Sequence, residues 1–245
     1  MLKLHVNVDH VATVRQARRI TQPDPVAWAL AAERAGAHGI PCHLRKDRRH
    51  VQDEDVRRLR SEITTLLNLE SSLDPEMVEF GLTIGADEIC LVPENRQEVT
   101  TEGGLDVVRE RARLADVLPR YREASTLVSL FVDPDPRALD VAAELEADFV
   151  ELHTGSYANA TGAEREQELE RLVRAAAHAH DAGLRVNAGH GLDLENVGPI
   201  ARLPHLEELN IGHSLVAHAV FVGVERAVGD MLAAIERAVS GEASA

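Results

Sequence analysis

His43, Glu70, Glu151 and His190 are the residues of this sequence whose types and places could move protons. They lie on four separated segments, as in enzymes whose fold, and not a local motif, gathers the acid and base groups. A single strand histidine is more often a hydrogen-bonded core residue, but four such groups on four elements argue for acid–base chemistry. Two further segments are built alike, Asn-Ala-Gly-His-Gly at 187–191 and Asn-Ile-Gly-His-Ser at 210–214. Each sets a histidine, His190 or His213, beside glycines that let a backbone approach a ligand closely. One Gly-His pair alone would simply end a strand. Two of them, each ahead of a helical segment, fit phosphate held by backbone N–H groups.

Arg15, Arg18 and Arg19 in one segment, and Arg45, Arg48, Arg49 and His50 in another, are candidates for a second anion site. Such clusters are ordinarily solvated surface; at a catalytic mouth their planar donor forks would suit phosphate. The same His and acidic residues could instead ligate Zn²⁺ or Mn²⁺. Asp9 and His10 are adjacent and so face opposite ways along a strand, which ranks that reading lower. Lys3 and Lys46 are the only lysines, one at the start of the first strand and one among arginines, so a lysine Schiff base has little to work with. Thr100, Thr101 and Gly103-Gly104 offer hydroxyl and backbone donors to a ligand, or cap the next helix. Cys42 and Cys90 lack C-x-x-C spacing and read as core thiols.

These residues need a frame that brings them together. Eight short apolar runs are expected as strands: Leu2–Asp9, Gly39–Leu44, Leu66–Glu70, Glu88–Val92, Leu127–Val132, Phe149–His153, Leu184–Ala188 and Leu206–Ile211. Each is followed by a helical segment: Pro25–Ala35, Asp53–Ser61, Pro75–Ile84, Leu105–Arg122, Arg137–Leu145, Ala163–Ala182, Leu194–Arg202 and Ala217–Val239. Strict alternation makes a parallel sheet, and parity along the strands decides whether it closes. One parity is apolar: Leu4, Val6 and Val8; Ile40, Cys42 and Leu44; Leu67 and Leu69; Val150 and Leu152; Val186; Leu209 and Ile211. The other carries His5, Asn7 and Asp9; His43 and Arg45; Asn68 and Glu70; Ser129 and Asp133; Glu151 and His153; Asn187; Glu208 and Asn210. An open sheet covered by helices on both faces would be apolar at both parities. A closed (β/α)₈ TIM barrel with a polar lumen is the architecture expected, one catalytic domain over residues 1–245. Buried polar groups are costly unless paired or hydrated, so a wet, functional lumen is expected.

Charge narrows the partners. The chain of 245 residues carries 26 Lys and Arg against 41 Asp and Glu, a net charge of −15, which repels nucleic acid and anionic membrane surfaces. No apolar run approaches the roughly 20 residues of a membrane span, and the N-terminus enters a strand directly, so a cytoplasmic protein is expected.

The strings at 6–13 (Val-Asn-Val-Asp-His-Val-Ala-Thr), 43–50 (His-Leu-Arg-Lys-Asp-Arg-Arg-His), 68–70 (Asn-Leu-Glu) and 91–104 together resemble the pyridoxine 5′-phosphate synthase family. The likeness continues, in order, through Glu-Leu-His-Thr-Gly at 151–155 and both Gly-His segments. It implies condensation of 3-amino-2-oxopropyl phosphate with 1-deoxy-D-xylulose 5-phosphate, closing a pyridine ring and releasing phosphate and water, without metal or organic cofactor. On the family's pattern His43 and Glu70 are acid–base groups, His190 a proton donor and Glu151 a stabiliser of cationic intermediates. Asn7, Arg18, Gly191, Gly212 and His213 would hold the aminoketone phosphate, and Asp9, His10, Arg45, His50 and Thr100 the deoxyxylulose phosphate. The resemblance also implies a homo-octamer. Gln16, Arg19, Pro41-Cys42 and Lys46 depart from the pattern, and a proline within a strand is tolerated mainly at edges and bulges. Two other readings of the same residues are a metal-dependent hydrolase or aldolase and a phosphosugar-binding regulator without catalysis.

Overall fold

Three helices start on the same local signal, an Asp-Pro pair. In α2 (Pro25–Arg34), α4 (Pro75–Ile84) and α6 (Pro136–Glu144) the preceding Asp24, Asp74 or Asp135 accepts a hydrogen bond from the N–H two residues on, at 3.0–3.1 Å. The proline supplies a helical φ at the position where its missing N–H is not needed. The computed structural model describes residues 1–94 and 103–241.

The strands are β1 (Lys3–Val6), β2 (Gly39–His43), β3 (Leu66–Ser71), β4 (Glu88–Leu91), β5 (Leu127–Val132), β6 (Phe149–His153), β7 (Arg185–Gly189) and β8 (Leu206–Ile211). Each pairs in parallel with the next, and β8 closes on β1 to make a barrel. The remaining helices are α1 (Asp9–Gln16), α3 (Asp53–Glu62), α5 (Arg111–Glu123), α7 (Gly155–Asn159), α8 (Gly162–Asp181), α9 (Val197–Ile200), α10 (His213–Val222) and α11 (Val224–Ser240). The fold is a single-domain (β/α)₈ TIM barrel. No helix among the described residues is long and apolar enough to cross a membrane.

Some expected boundaries are corrected. The first strand ends at Val6 and not at Asp9, because Asp9 opens α1, a helix outside the eight expected. The helix expected over Ala217–Val239 is two helices broken at Gly223, whose φ of +84° lies where only glycine is unstrained. The helix expected from Leu105 begins at Arg111. Before it, residues 107–109 form a turn, and the segment is pinned by the Leu105 N–H on the Phe131 carbonyl (2.7 Å).

Strand parity sorts the interior into two environments. Leu4, Val6, Ile40, Leu67, Leu69, Leu130, Val150, Val186 and Leu209 are buried in one continuous apolar layer between the strands and the helices. The opposite parity fills the lumen with His5, Asn68, Glu88, Ser129, Asn187 and Glu208, all buried. Asn187 donates to Glu208 (2.8 Å), Lys3 reaches the same carboxylate from the barrel's lower end (2.9 Å), and Asn68 donates to Glu88 (3.4 Å). Burial holds His5 down at about 4 and pushes Glu88 well above the usual carboxylate range. Cys90, Val92 and Phe131 form a small apolar patch apart from the main layer.

Pro41 sits inside β2 without breaking the barrel. Its carbonyl accepts from Val8 N–H (3.2 Å), so its N-side faces β1, where pairing registers only at His5 opposite Gly39. The missing donor therefore falls where the ladder is shortest.

Candidate active site

Register makes the first pair. His43 at the end of β2 lies opposite Glu70 on β3, with Nδ1 4.0 Å from Oε2. Asn7, just past β1, donates through Nδ2 to Glu70 Oε1 (3.1 Å) and Asp9 Oδ2 (3.0 Å). Asp9 in turn accepts the backbone N–H of His43 (2.8 Å). Three strand ends are thereby tied into one network, and the orientation of Glu70 depends on Asn7.

The facing wall depends on a missing side chain. Glu151 on β6 reaches across Gly189 of β7 to Asn210 of β8, whose Nδ2 donates to Oε2 at 2.6 Å. A Cβ on Gly189 would collide with Glu151 Oε1 and lie 3.2 Å from Asn210 Cβ, so the carboxylate occupies the place of a side chain. Cys90 Sγ also faces Glu151, at 3.6 Å. His190 follows with φ +85°, a left-handed conformation uncommon for a residue with a Cβ. Thr154 holds it there by donating its hydroxyl to the carbonyls of Gly189 and His190.

Between these walls lies a cavity of about 410 Å³ at the C-terminal ends of the strands, where this fold carries its chemistry. Asn7, Asp9, His10, His43, Arg45, His50, Glu70, Glu151, His190, Gly191, Gly212 and His213 all line it. Arg18 does not; it is exposed beyond the end of α1. Thr100 and Thr101 lie outside the described residues. Gly212 and His213 stand at the start of α10, with the imidazoles of His10 and His213 edge to face at 4.9 Å.

The expected arginine cluster is largely taken up elsewhere. Arg15 makes a buried two-pronged pair with Asp55, both contacts at 2.6 Å, because α1 turns it towards α3. Arg48 pairs with Asp53 and Glu76, and Arg49 with Asp47. Lys46 donates to Asp74 (2.6 Å) and takes no part in the cavity. Arg45 alone of these cations lines the cavity; it is almost wholly buried, with Nε 3.7 Å from both Asp47 and Glu94.

Burial sets the protonation of the cavity. It pushes Glu70 well above the usual carboxylate range, reinforced by the charges of Asp9 and Glu151. Glu151 is pushed up to about 7 by burial, against the bonds from Asn210 and Cys90. His43 is driven well below its ordinary value by burial and then by His50 and Arg45, and His190 falls to about 4 through burial, His153 and His10. Near neutral pH the site thus offers neutral imidazoles beside carboxyls that can hold a proton, a set able both to take and to give protons. Asp9, His43 and Glu70 also bring one ligand atom each within 4.8 Å of one another, a spacing open to a divalent cation.

Sequence reasoning gave no role to Asn210, Phe131, Asp133 or His153, all of which shape this site. Parity had turned Asn210, Asp133 and His153 inward, the only signal available. Phe131 breaks the polar parity and carried none.

A closed parallel barrel whose mouth gathers buried carboxyls, neutral histidines and two glycine-histidine loops defines an enzyme of the (β/α)₈ class acting on small polar molecules. Solved barrels share the frame: native KDPGal (TM-score 0.68, 14% identical, 98% of this chain and 97% of that one) and the thiamine phosphate pyrophosphorylase of Pyrococcus furiosus (0.61, 16%, 97% of each). The family described as pyridoxal phosphate biosynthesis protein PdxJ matches residues 4–237, and the chain belongs to it. It is 56% identical to the pyridoxine 5′-phosphate synthase of Synechococcus sp. over 232 residues, covering 94% of this chain and 97% of that protein. The corresponding enzyme of Thermosynechococcus vestitus is 56% identical over 236 residues, covering 96% and 99%.

Proposed function

We propose that this chain condenses 3-amino-2-oxopropyl phosphate with 1-deoxy-D-xylulose 5-phosphate to pyridoxine 5′-phosphate, releasing phosphate and water, the reaction of pyridoxine 5′-phosphate synthases. The observation that carries the reading is one cavity with His43 and Glu70 on one wall and Glu151 and His190 on the other. Forming an imine between substrate amine and ketone, enolising, eliminating phosphate and closing the ring each move protons. The substrate brings its own amine, so no lysine nucleophile is needed.

Neutral His43 takes protons at the atoms next to the new bonds, and Glu70, a carboxyl that holds its proton, gives and retakes one. His190, also neutral in the free site, takes up a proton released in an earlier step and hands it to the departing oxygen. Glu151 supplies negative charge beneath the cationic imine. Gly191, Gly212 and His213, with backbone N–H groups at the start of α10, suit the aminoketone phosphate, and Asn7 orients it beside Glu70. Arg45, His50, His10 and Asp9 form the end suited to the deoxyxylulose phosphate. Arg18 and Thr100 join these two sets through the family resemblance alone. Water leaves through the polar lumen.

The whole chain, 1–245, serves as one catalytic domain of a cytoplasmic homo-octamer. In support of assembly, the tip of α10 exposes Val220 (75%), Phe221 (88%) and Val222 (41%), an apolar patch suited to a second copy of the chain. Two free, buried thiols, Cys42 and Cys90, suit a reducing compartment.

The spacing of Asp9, His43 and Glu70 favours a second reading, a metal-dependent barrel hydrolase or aldolase. One experiment separates the readings: chelator-treated protein is incubated with both substrates and the product identified by ultraviolet spectrum and mass. Pyridoxine phosphate formed without metal supports the synthase. Activity only after metal is restored supports the second reading, and saturable binding of both phosphates without product would leave a phosphosugar-binding protein.

A further inference from the structure

His190 lines the cavity, yet no side-chain hydrogen bond from the cavity wall fixes its ring among the described residues. What lies behind it is His153, the last residue of β6, whose ring meets that of His190 edge to face with centroids 5.1 Å apart. His153 is buried, does not line the cavity, and is tied through Nδ1 to Asp133 Oδ1 at 3.0 Å. A hydrogen bond from His153, together with one from the Gly104 N–H, holds the half-exposed Asp133 carboxyl below its usual range. Asp133 is thus an acceptor, and His153 Nδ1 carries the proton. Phe131 on β5 closes the third side, tilted against His153 at 5.2 Å and His190 at 6.4 Å. The fourth side is Gly155, where a Cβ would collide with His153 Nε2 and stand 3.1 Å from His190 Cδ2. The two rings can touch only because that residue has no side chain.

We propose that His153, anchored by Asp133, is a positioning residue for the reaction: it fixes the ring of His190 across the cavity through direct ring contact. The inference rests on the role given to His190 above. Neither His153 nor Asp133 lines the cavity, so their loss should be felt in proton transfer and not in binding. The arrangement works mechanically. Asp133 sets the rotation of His153, and the steep contact between the two rings, 67° between their planes, then leaves the His190 ring one orientation, which Phe131 and Gly155 enclose. A strained backbone at His190 fixes where its Cβ points but not how its ring turns, and the second ring supplies that missing constraint.

The test uses the full-length chain with both substrates, comparing His153→Leu and Asp133→Asn, each alone and combined with His190→Gln. Misplacing one proton-transfer group should lower kcat by roughly ten- to a hundredfold, more for His153→Leu than for Asp133→Asn, with KM for each phosphate within about twofold. In the His190→Gln background neither change should lower kcat further, because both act through His190. A purely structural role would lower the folded fraction, or reduce kcat by the same factor in both backgrounds, and either result overturns the proposal. Should His153→Leu fail to fold, the half-exposed Asp133→Asn carries the same comparison. Full turnover in His190→Gln overturns the role of His190 itself. Full turnover in His153→Leu and Asp133→Asn, with His190→Gln inactive, overturns this inference alone.

Discussion

Replacing Glu151 by Gln should make the protein more stable at alkaline pH while disabling it. Glu151 is 5% exposed and titrates at about 7 instead of 4.5, burial being the largest cause. Ionising such a carboxyl in the folded protein costs about 3 kcal/mol more than in the unfolded chain, at about 1.4 kcal/mol per pH unit. The sign follows from linkage: between pH 4.5 and 7 the folded protein keeps a proton that the unfolded chain has released. Stability from this group is therefore present below 4.5, is lost as pH rises through about 7, and stays flat above. A glutamine can still accept the Asn210 Nδ2 bond and carries no charge to desolvate. The stability difference between Glu151→Gln and the parent should grow in the variant's favour by up to about 3 kcal/mol from pH 4.5 to 8.5, while kcat falls for want of negative charge beneath the cation. Urea unfolding of both proteins at several pH values measures it; losing the Glu151 charge also relieves Glu70, which acts in the same direction. A difference that stays constant with pH, or grows the other way, would refute the account of Glu151 as a carboxyl strained by burial.

Glu70→Gln should fold and bind both phosphates yet lose about 10²–10⁴-fold in turnover; a lowered thermal midpoint with near-normal kcat would instead make Glu70 a structural carboxyl. Gly212→Val should weaken the aminoketone phosphate far more than the deoxyxylulose phosphate, since a Cβ there stands 3.0 Å from Asn7 and crowds only one end of the cavity. Calorimetry with each ligand separately checks this, and equal loss for both contradicts the two-ended map. Phe221→Glu should shift the assembly to a smaller species in analytical ultracentrifugation without unfolding the monomer; an unchanged sedimentation coefficient would remove α10 from the subunit contact.

The barrel was legible because parity is a local property: alternation of Leu4, His5 and Val6, or of Leu67, Asn68 and Leu69, survives any error in the strand ends. The pairing of His43 with Glu70 was legible only as two polar residues facing inward, since register comes from the closed sheet. The arginines misled for an electrostatic reason. Arg15 and Arg48 look alike in sequence to Arg45, but acidic residues brought by α3 and α4, Asp55, Asp53 and Glu76, claim the first two. A helix as short as α1 spans too few turns to show a period, and the break at Gly223 is hidden inside an apolar run that reads as one helix. The supporting layer of Asp133, His153 and Gly155 was out of reach, because it depends on ring contacts between the ends of neighbouring strands.

The polar lumen has a consequence for how this protein would adapt to heat. The apolar cohesion of the barrel comes mainly from the sleeve of contact outside the strands, while the axis holds His5, Asn68, Glu88, Ser129, Asn187 and Glu208 in place of the aliphatic plug usual in this fold. Exchanging a buried polar pair for well-packed aliphatic residues is often neutral or stabilising. Asn68 and Glu88, register partners on β3 and β4, are such a pair. A lineage selected only for thermostability would therefore solidify its own axis first, and in doing so would trade a polar axis for a rigid aliphatic column.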